Sequence, residues 1–387
     1  MKKIILLFSI VFFLSINCKN DASDRSARYN LPKSNEISIG VAYPVMLKTA
    51  TDTHFAKGID FAVSIVNKNG GILGKQLTTI IRDDRNNANV AMQIAQAFCD
   101  QGITAVIGHW STNISYYTED IYESNKVVML TPRSTGLVLF EEKFNYVFRM
   151  PGSNLDFAQA IASDITEKGY KNVAMYFSED EFGVDYAKIT EKKLNARGIR
   201  VIDRISSITP LNIETIQNRW NAFGCEAVVV AATYPDHIEP IKIIRRSSLE
   251  LPIYVEDSFE SATLTDLPDN HSRNIFIVTL DHANLDSAFL EGFILEYGHA
   301  PDTPAVNGYE AVMLLADAMQ TVQSIDGTAI AEYISNLKEY KTVSSIRAYN
   351  HATQEFDGYN IRIHPLEDLI FRKYLILGEL IPGGHYE

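Results

Sequence analysis

At 387 residues the chain exceeds what one ordinary core organises, and two domains are the natural expectation. Hydrophobic residues make up 46% and charged residues 21%, the balance of a globular protein rather than a disordered or fibrous one. Lys and Arg total 35 against 48 Asp and Glu, a net charge of −13, which argues against the basic surface that nucleic-acid binding needs.

The first eighteen residues, MKKIILLFSIVFFLSINC, carry Lys2 and Lys3, then an apolar run from Ile4 to Leu14, then Cys18. The run is too short to span a bilayer and suits the core of a signal peptide. A cysteine at this place resembles the lipobox of bacterial lipoproteins, although Leu14 sits one place early and Ile16-Asn17 replaces the usual small pair. The expectation is a signal peptide over 1–17 and a lipidated Cys18, with an ordinary secretion signal as the alternative. Residues 18–35 are polar, aperiodic and rich in turn formers, and read as a tether. Cys99 and Cys225 remain; both lie in apolar contexts and read as buried free thiols, with a disulfide as the alternative in an oxidising compartment. No metal-ligand spacing is present, and no cofactor is expected.

From Glu36 strands and helices alternate. ISIGVAY is a strand, HFAKGIDFAVSIVNKN a helix by its apolar spacing, LTTIIRDD a strand, NVAMQIAQAFCDQG a helix and ITAVIG a third strand. A helix through Tyr122 and the strand KVVMLTP follow. The rhythm restarts after RMPGSN, with strands at NVAMYFSE, IRVIDRISS, EAVVVAAT and PIYVED and helices between them. Continuous apolar strands separated by helices mark buried parallel sheets. The pattern bends at NIFIVTLDHAN; a long helix, VNGYEAVMLLADAMQTVQS, precedes a less regular tail. The fold class is α/β, with two Rossmann-like lobes and a chain that crosses between them more than once. Ligands of such folds sit beyond the carboxyl ends of parallel strands, at a switch in strand order.

Local enzyme motifs are missing: the sequence has no G-x-S-x-G, P-loop, strand-following G-x-G-x-x-G or H-E-x-x-H. His109 reads as structural rather than as a catalytic base. SEDEFG reads as a solvated loop rather than as paired acid–base carboxylates. In VIGHWSTNIS a buried strand ends in Ser111, Thr112, Asn113 and Ser115. Such residues cap helices, and the N–H groups they gather attract anions, so the run reads as a carboxylate cradle. A second cradle follows in LTPRSTG, with Thr131, Ser134 and Thr135. In the other unit, ATYPD offers Tyr234 as an aromatic wall and YVEDSFE offers Asp257 as an anion for an ammonium.

The order and spacing of VNKNGGILGKQL, DDRNNANVAMQIAQAFCDQGITAVIGH and TEDIYESNKVVMLTP resemble the type I solute-binding proteins of ABC transporters, the branched-chain amino acid binding family, over Glu36 to about Gly358. The resemblance implies two lobes joined by three hinge crossings that close on ligand. The crossings fall near 149–154, 279–284 and 345–356, giving a first lobe of 36–150 plus 282–345 and a second of 151–281 plus 346–387. It implies that Thr112 holds a ligand carboxylate, that Thr135 holds carboxylate or ammonium, and that Asp257 takes the ammonium. Phe182 matches an aromatic position of the cleft; the family's other aromatic contact falls on Thr233, beside Tyr234. Ser111 and Ser134 accompany the two cradles. Arg133 stands where the family has a small residue, and Trp110 sits in the turn; together they suggest an acidic or otherwise unusual ligand, unless Arg133 points to solvent. The small disulfide of the family's first lobe has no counterpart. The implied function is capture of an amino acid or similar solute for an ABC permease, with the membrane reached only through the lipid anchor. A domain that reports a ligand to a separate signalling partner is the alternative, and an α/β enzyme a third reading.

Overall fold

The computed structural model describes residues 35–46, 54–140, 143–233, 236–248, 250–258, 267, 271–281 and 284–368. The expected signal peptide, Cys18, the tether and Tyr234 lie outside them. Within the compact unit from Asn35 onward, two sheets each form the centre of a three-layer lobe.

The first sheet begins with β1 (Glu36–Tyr43), α1 (Phe55–Lys68), β2 (Gln76–Asp83), α2 (Ala88–Asp100) and β3 (Ala105–Ile107). Two short helices, α3 (Thr112–Tyr116) and α4 (Glu119–Ser124), lead to β4 (Val128–Thr131), and β5 (Val147–Arg149) closes the parallel set. Strand order is β2-β1-β3-β4-β5. The second lobe starts with α5 (Asn154–Glu167) and runs through β6 (Asn172–Phe177), α6 (Glu181–Asn195), β7 (Arg200–Ile205), α7 (Ile213–Phe223), β8 (Ala227–Ala231), α8 (Ile238–Ser247), β9 (Ile253–Val255) and β10 (Ile275–Leu280). Its parallel order, β7-β6-β8-β9-β10, repeats that of the first lobe. β3, β4 and β8 are buried throughout, as strands covered by helices on both faces must be.

After β10 the chain returns to the first lobe. Phe289 and Phe293 of α9 (Ser287–Tyr297), and α10 (Thr303–Val322) along most of its length, join the core that also holds Phe55, Ile59 and the strands β1 and β3. α11 (Gly327–Ser335) adds Ile330 and Ile334. The opposite face of the sheet packs Phe98 of α2 and Tyr122 of α4. In the second lobe one face packs α5 and α6, the other α7 and α8.

The chain passes between the sheets after β5, after β10 and a third time before β14. β11 (Tyr340–Lys341), β12 (Ile346–Asn350) and β13 (Glu355–Asp357) all belong to the first sheet, and only β14 (Ile361–Pro365) pairs with β10. The crossing therefore occupies residues 358–360 rather than 345–356. The cause is an antiparallel hairpin: β12 and β13 pair from Ala348–Asp357 to Asn350–Glu355, and Glu355 then meets Arg149 of β5. Cys99 and Cys225 are free and half-buried rather than buried, one in each lobe, and desolvation holds both thiols up at about 11.

Candidate functional site

In each lobe the strand order reverses beside the first strand, between β1 and β3 and between β6 and β8, and the loops leaving β3, β6 and β8 line one cleft. The cleft has a volume of about 130 Å³ and is lined by groups from both lobes. From the first come Asn86 after β2, Trp110 to Asn113 after β3, and Arg133 and Thr135 after β4. From the second come Asp180 and Phe182 after β6, Thr233 and Asp236 after β8, and Glu256 and Ser258 after β9.

The two cradles are a single construction. Thr112 Oγ1 accepts the Gly136 N–H at 3.1 Å, so its own proton is left to donate. Beneath them the guanidinium of Arg149, fully buried, donates to the carbonyls of Thr135 and Gly136, and the Asn154 N–H adds a third bond to the Thr135 carbonyl at 2.7 Å. The loop carbonyls are thereby turned inward, which leaves the Thr135 hydroxyl in the cleft. Ser111 Oγ donates to Asn86 Oδ1 at 2.9 Å. Ser134, by contrast, does not line the cleft: it is fully buried, with Oγ 2.8 Å from Ser115 Oγ, and so belongs to the support rather than the wall. Thr131 Oγ1 is buried without a hydrogen-bond partner among the described residues. His109 is structural, with Nδ1 at 2.8 Å from Asp84 Oδ2 and Nε2 at 3.2 Å from the Tyr122 hydroxyl.

Arg133 does not point to solvent. Its Nη2 lies 2.9 Å from Asp257 Oδ1, across the cleft, and its guanidinium sits 5.1 Å from the centre of the Trp110 ring. Trp110 packs edge-on to Phe55 at 5.2 Å. Asp257 is therefore half of an interlobe ion pair, and of the two neighbouring acids it is Glu256, which sequence reasoning passed over, that lines the cleft. The Glu256 carboxylate accepts from both the N–H and the hydroxyl of Ser258. Burial first and the Asp257 charge second push its carboxyl up, to about 8, against the pull of the Arg133 guanidinium. A second interlobe contact joins the Leu137 N–H to Asp185 Oδ2 at 3.0 Å.

Phe182 is the second residue of α6 and stacks obliquely on Tyr186, with ring centres 5.4 Å apart. Asp180 caps that helix, accepting from Gly183 N at 2.7 Å and Ser178 Oγ at 3.0 Å, both on Oδ1. SEDEFG is thus a helix start with one carboxylate in the cleft, not only a solvated loop. Asp236 stands at the rim, where partial desolvation and then the Asp180 charge raise its carboxyl. The signal for Asp180 was its place before a helix; for Asp236, Asn86 and Glu256 the sequence offered only their positions after strand ends. Among the described residues no cluster of three or more His, Cys, Asp or Glu is disposed to hold a metal, and no helix is long and apolar enough to cross a membrane.

Residues 36–360 match the family model described as periplasmic binding protein. The chain belongs to that family. Its members are solute-binding proteins, and this chain is one of them. It is similar to the Leu/Ile/Val-binding protein homolog 2 of Brucella abortus, 24% identical over 327 residues that span 80% of this chain and 84% of that one. A leucine-, isoleucine-, valine-, threonine- and alanine-binding protein of Pseudomonas aeruginosa is 22% identical over 77% of this chain and 82% of its own. Among solved structures, an ABC transporter substrate-binding protein from Desulfitobacterium hafniense in complex with Leu superposes with a TM-score of 0.78 at 29% identity, over 85% of this chain and 96% of that one. These are binding proteins of transport systems, and the sensing reading is not favoured.

Proposed function

We propose that the protein captures an α-amino acid between its lobes and hands it to an ABC permease. The observation that carries this reading is the division of the cleft: hydroxyls at the ends of β3 and β4 on one side, the Glu256 carboxyl at the end of β9 on the other. Thr112 and Thr135 donate to the ligand carboxylate, Glu256 together with Asp257 receives the ammonium, and Phe182 and Thr233 wall the side chain. A ligand that touches both lobes does so only when they are close, so it draws the population toward closure. No step in this cycle breaks a covalent bond, and the ligand is returned unchanged. The curated relatives and the leucine complex, all named for amino acids or bound to one, support the ligand class.

Lipidation of Cys18 after removal of 1–17, with the anchored protein on the outer side of a membrane, is the accompanying proposal. Cys18→Ala is expected to move the protein from the membrane fraction to the soluble one.

Isothermal titration of the purified chain with a panel of amino acids tests the reading. At least one α-amino acid should bind in wild type, and the same ligand should be lost in Thr112→Val and in Glu256→Ala. Full affinity in both variants would remove the two-sided site. Mass spectrometry of the ligand after release should return it unaltered.

A further inference from the structure

The charges of the cleft do not balance for a neutral amino acid. Among the described residues its lining holds one cation, Arg133, and three acids, Asp180, Asp236 and Glu256. Arg133 is already engaged by a fourth acid, Asp257, at 2.9 Å. An α-amino acid with an uncharged side chain brings one carboxylate for the hydroxyl cradle and one ammonium for the Glu256–Asp257 end. Asp180, half-buried, and Asp236, exposed at the rim, would then stand side by side with no positive charge between them, a like-charge pairing that a cation relieves. Neither carboxylate is ion-paired among the described residues. They are close enough that the Asp180 charge raises the Asp236 carboxyl.

Resting on the amino-acid reading above, we propose that the solute is an α-amino acid with a positively charged side chain, lysine-like or arginine-like, whose distal cation is received by Asp180 and Asp236. The hydrogen-bond inventory fits. Asp180 spends Oδ1 on its cap, leaving Oδ2 outside the capping bonds. Asn113, on the facing wall, holds a buried side-chain oxygen with no hydrogen-bond partner among the described residues. An ammonium has three donors and a guanidinium five, and the two carboxylates lie close enough together to share one such group. The apolar lining points the same way. Trp110 and Phe182 are its only aromatic members among the described residues, and Arg133 already covers the Trp110 ring. That is a small surface for a branched aliphatic chain but adequate for the methylene stem of a basic side chain. An acidic side chain is disfavoured, since the one cation that would receive it is held by Asp257.

Calorimetric titration of the purified chain with L-lysine, L-arginine, L-leucine and L-glutamate decides the matter. One of the two basic amino acids is expected to bind at least about tenfold more tightly than leucine, the difference one charge-assisted contact makes. In Asp236→Asn the ratio of basic to leucine affinity should collapse by about the same factor. Leucine binding as tightly as or more tightly than both basic amino acids would overturn the proposal while leaving the amino-acid reading intact. So would an unchanged ratio in Asp236→Asn. No heat with any amino acid would overturn both readings together.

Discussion

Gly136 lies so close to Thr112 that a Cβ built on it would stand 2.4 Å from the Thr112 γ-methyl. That approach lets the Gly136 N–H reach Thr112 Oγ1 and fuses two separate strand ends into one carboxylate cradle. Gly136→Ala is expected to cost about 1–3 kcal/mol of stability through overpacking and to weaken ligand binding by about tenfold or more as the threonine is pushed aside. Denaturant titration and calorimetry measure the two effects; ligand affinity equal to wild type would show that the cradle tolerates the shift. At this scale the hydroxyls were legible and the acids were not. Thr112 and Thr135 stand out because capping residues cluster at strand ends for a local reason. Which of two neighbours faces the cleft has no local reason. Ser134 turns into the support while Thr135 faces the cleft; Asp257 is drawn to Arg133 while Glu256 remains in the lining. Arg149 was visible only as a charge at the end of an apolar strand, and its place beneath the cradle depends on a loop thirteen residues upstream, at Gly136.

At the scale of elements, the repeated orders β2-β1-β3-β4-β5 and β7-β6-β8-β9-β10 bring two switch points to face each other, and every residue that lines the cleft leaves a strand at such an end. This much followed from apolar runs separated by helices. The hairpin of β12 and β13 did not, because strands this short and half-exposed carry no such signature. It is fixed instead by a long-range buried pair. Arg347 of β12 donates to Glu310 of α10 at 2.5 Å and to the Met150 carbonyl at the first crossing, while the other oxygen of Glu310 accepts from the N–H and hydroxyl of Ser344. Both side chains are about 1% exposed. Removing one partner strands a buried charge, so Glu310→Ala is expected to destabilise the fold by about 3–5 kcal/mol. Urea unfolding would read this as a lower midpoint at constant slope. A change below about 1 kcal/mol would mean that Arg347 finds other acceptors at the crossing.

For the whole molecule, closure couples ligand to protonation through Glu256. Its carboxyl is raised in the folded state, to about 8, by burial and by Asp257. A raised value favours the protonated form of the fold, so this contribution to stability is complete below the ordinary carboxylate pKa and fades as pH rises through the raised one. Ammonium binding asks for the opposite state, an ionised Glu256, and must expel the proton wherever the carboxyl still holds it. Ligand affinity should therefore climb with pH up to about 8, the value reached by the Glu256 carboxyl. Over the same range the melting temperature of the unliganded protein should sag and the rise produced by ligand should grow. Below that point the heat of binding should also depend on the ionisation enthalpy of the buffer, because a proton is released. In Glu256→Gln the affinity is lower and the pH slope and buffer dependence both vanish. A slope that survives in that variant would place the titrating group elsewhere in the cleft, with Asp236 and its raised carboxyl the next to test.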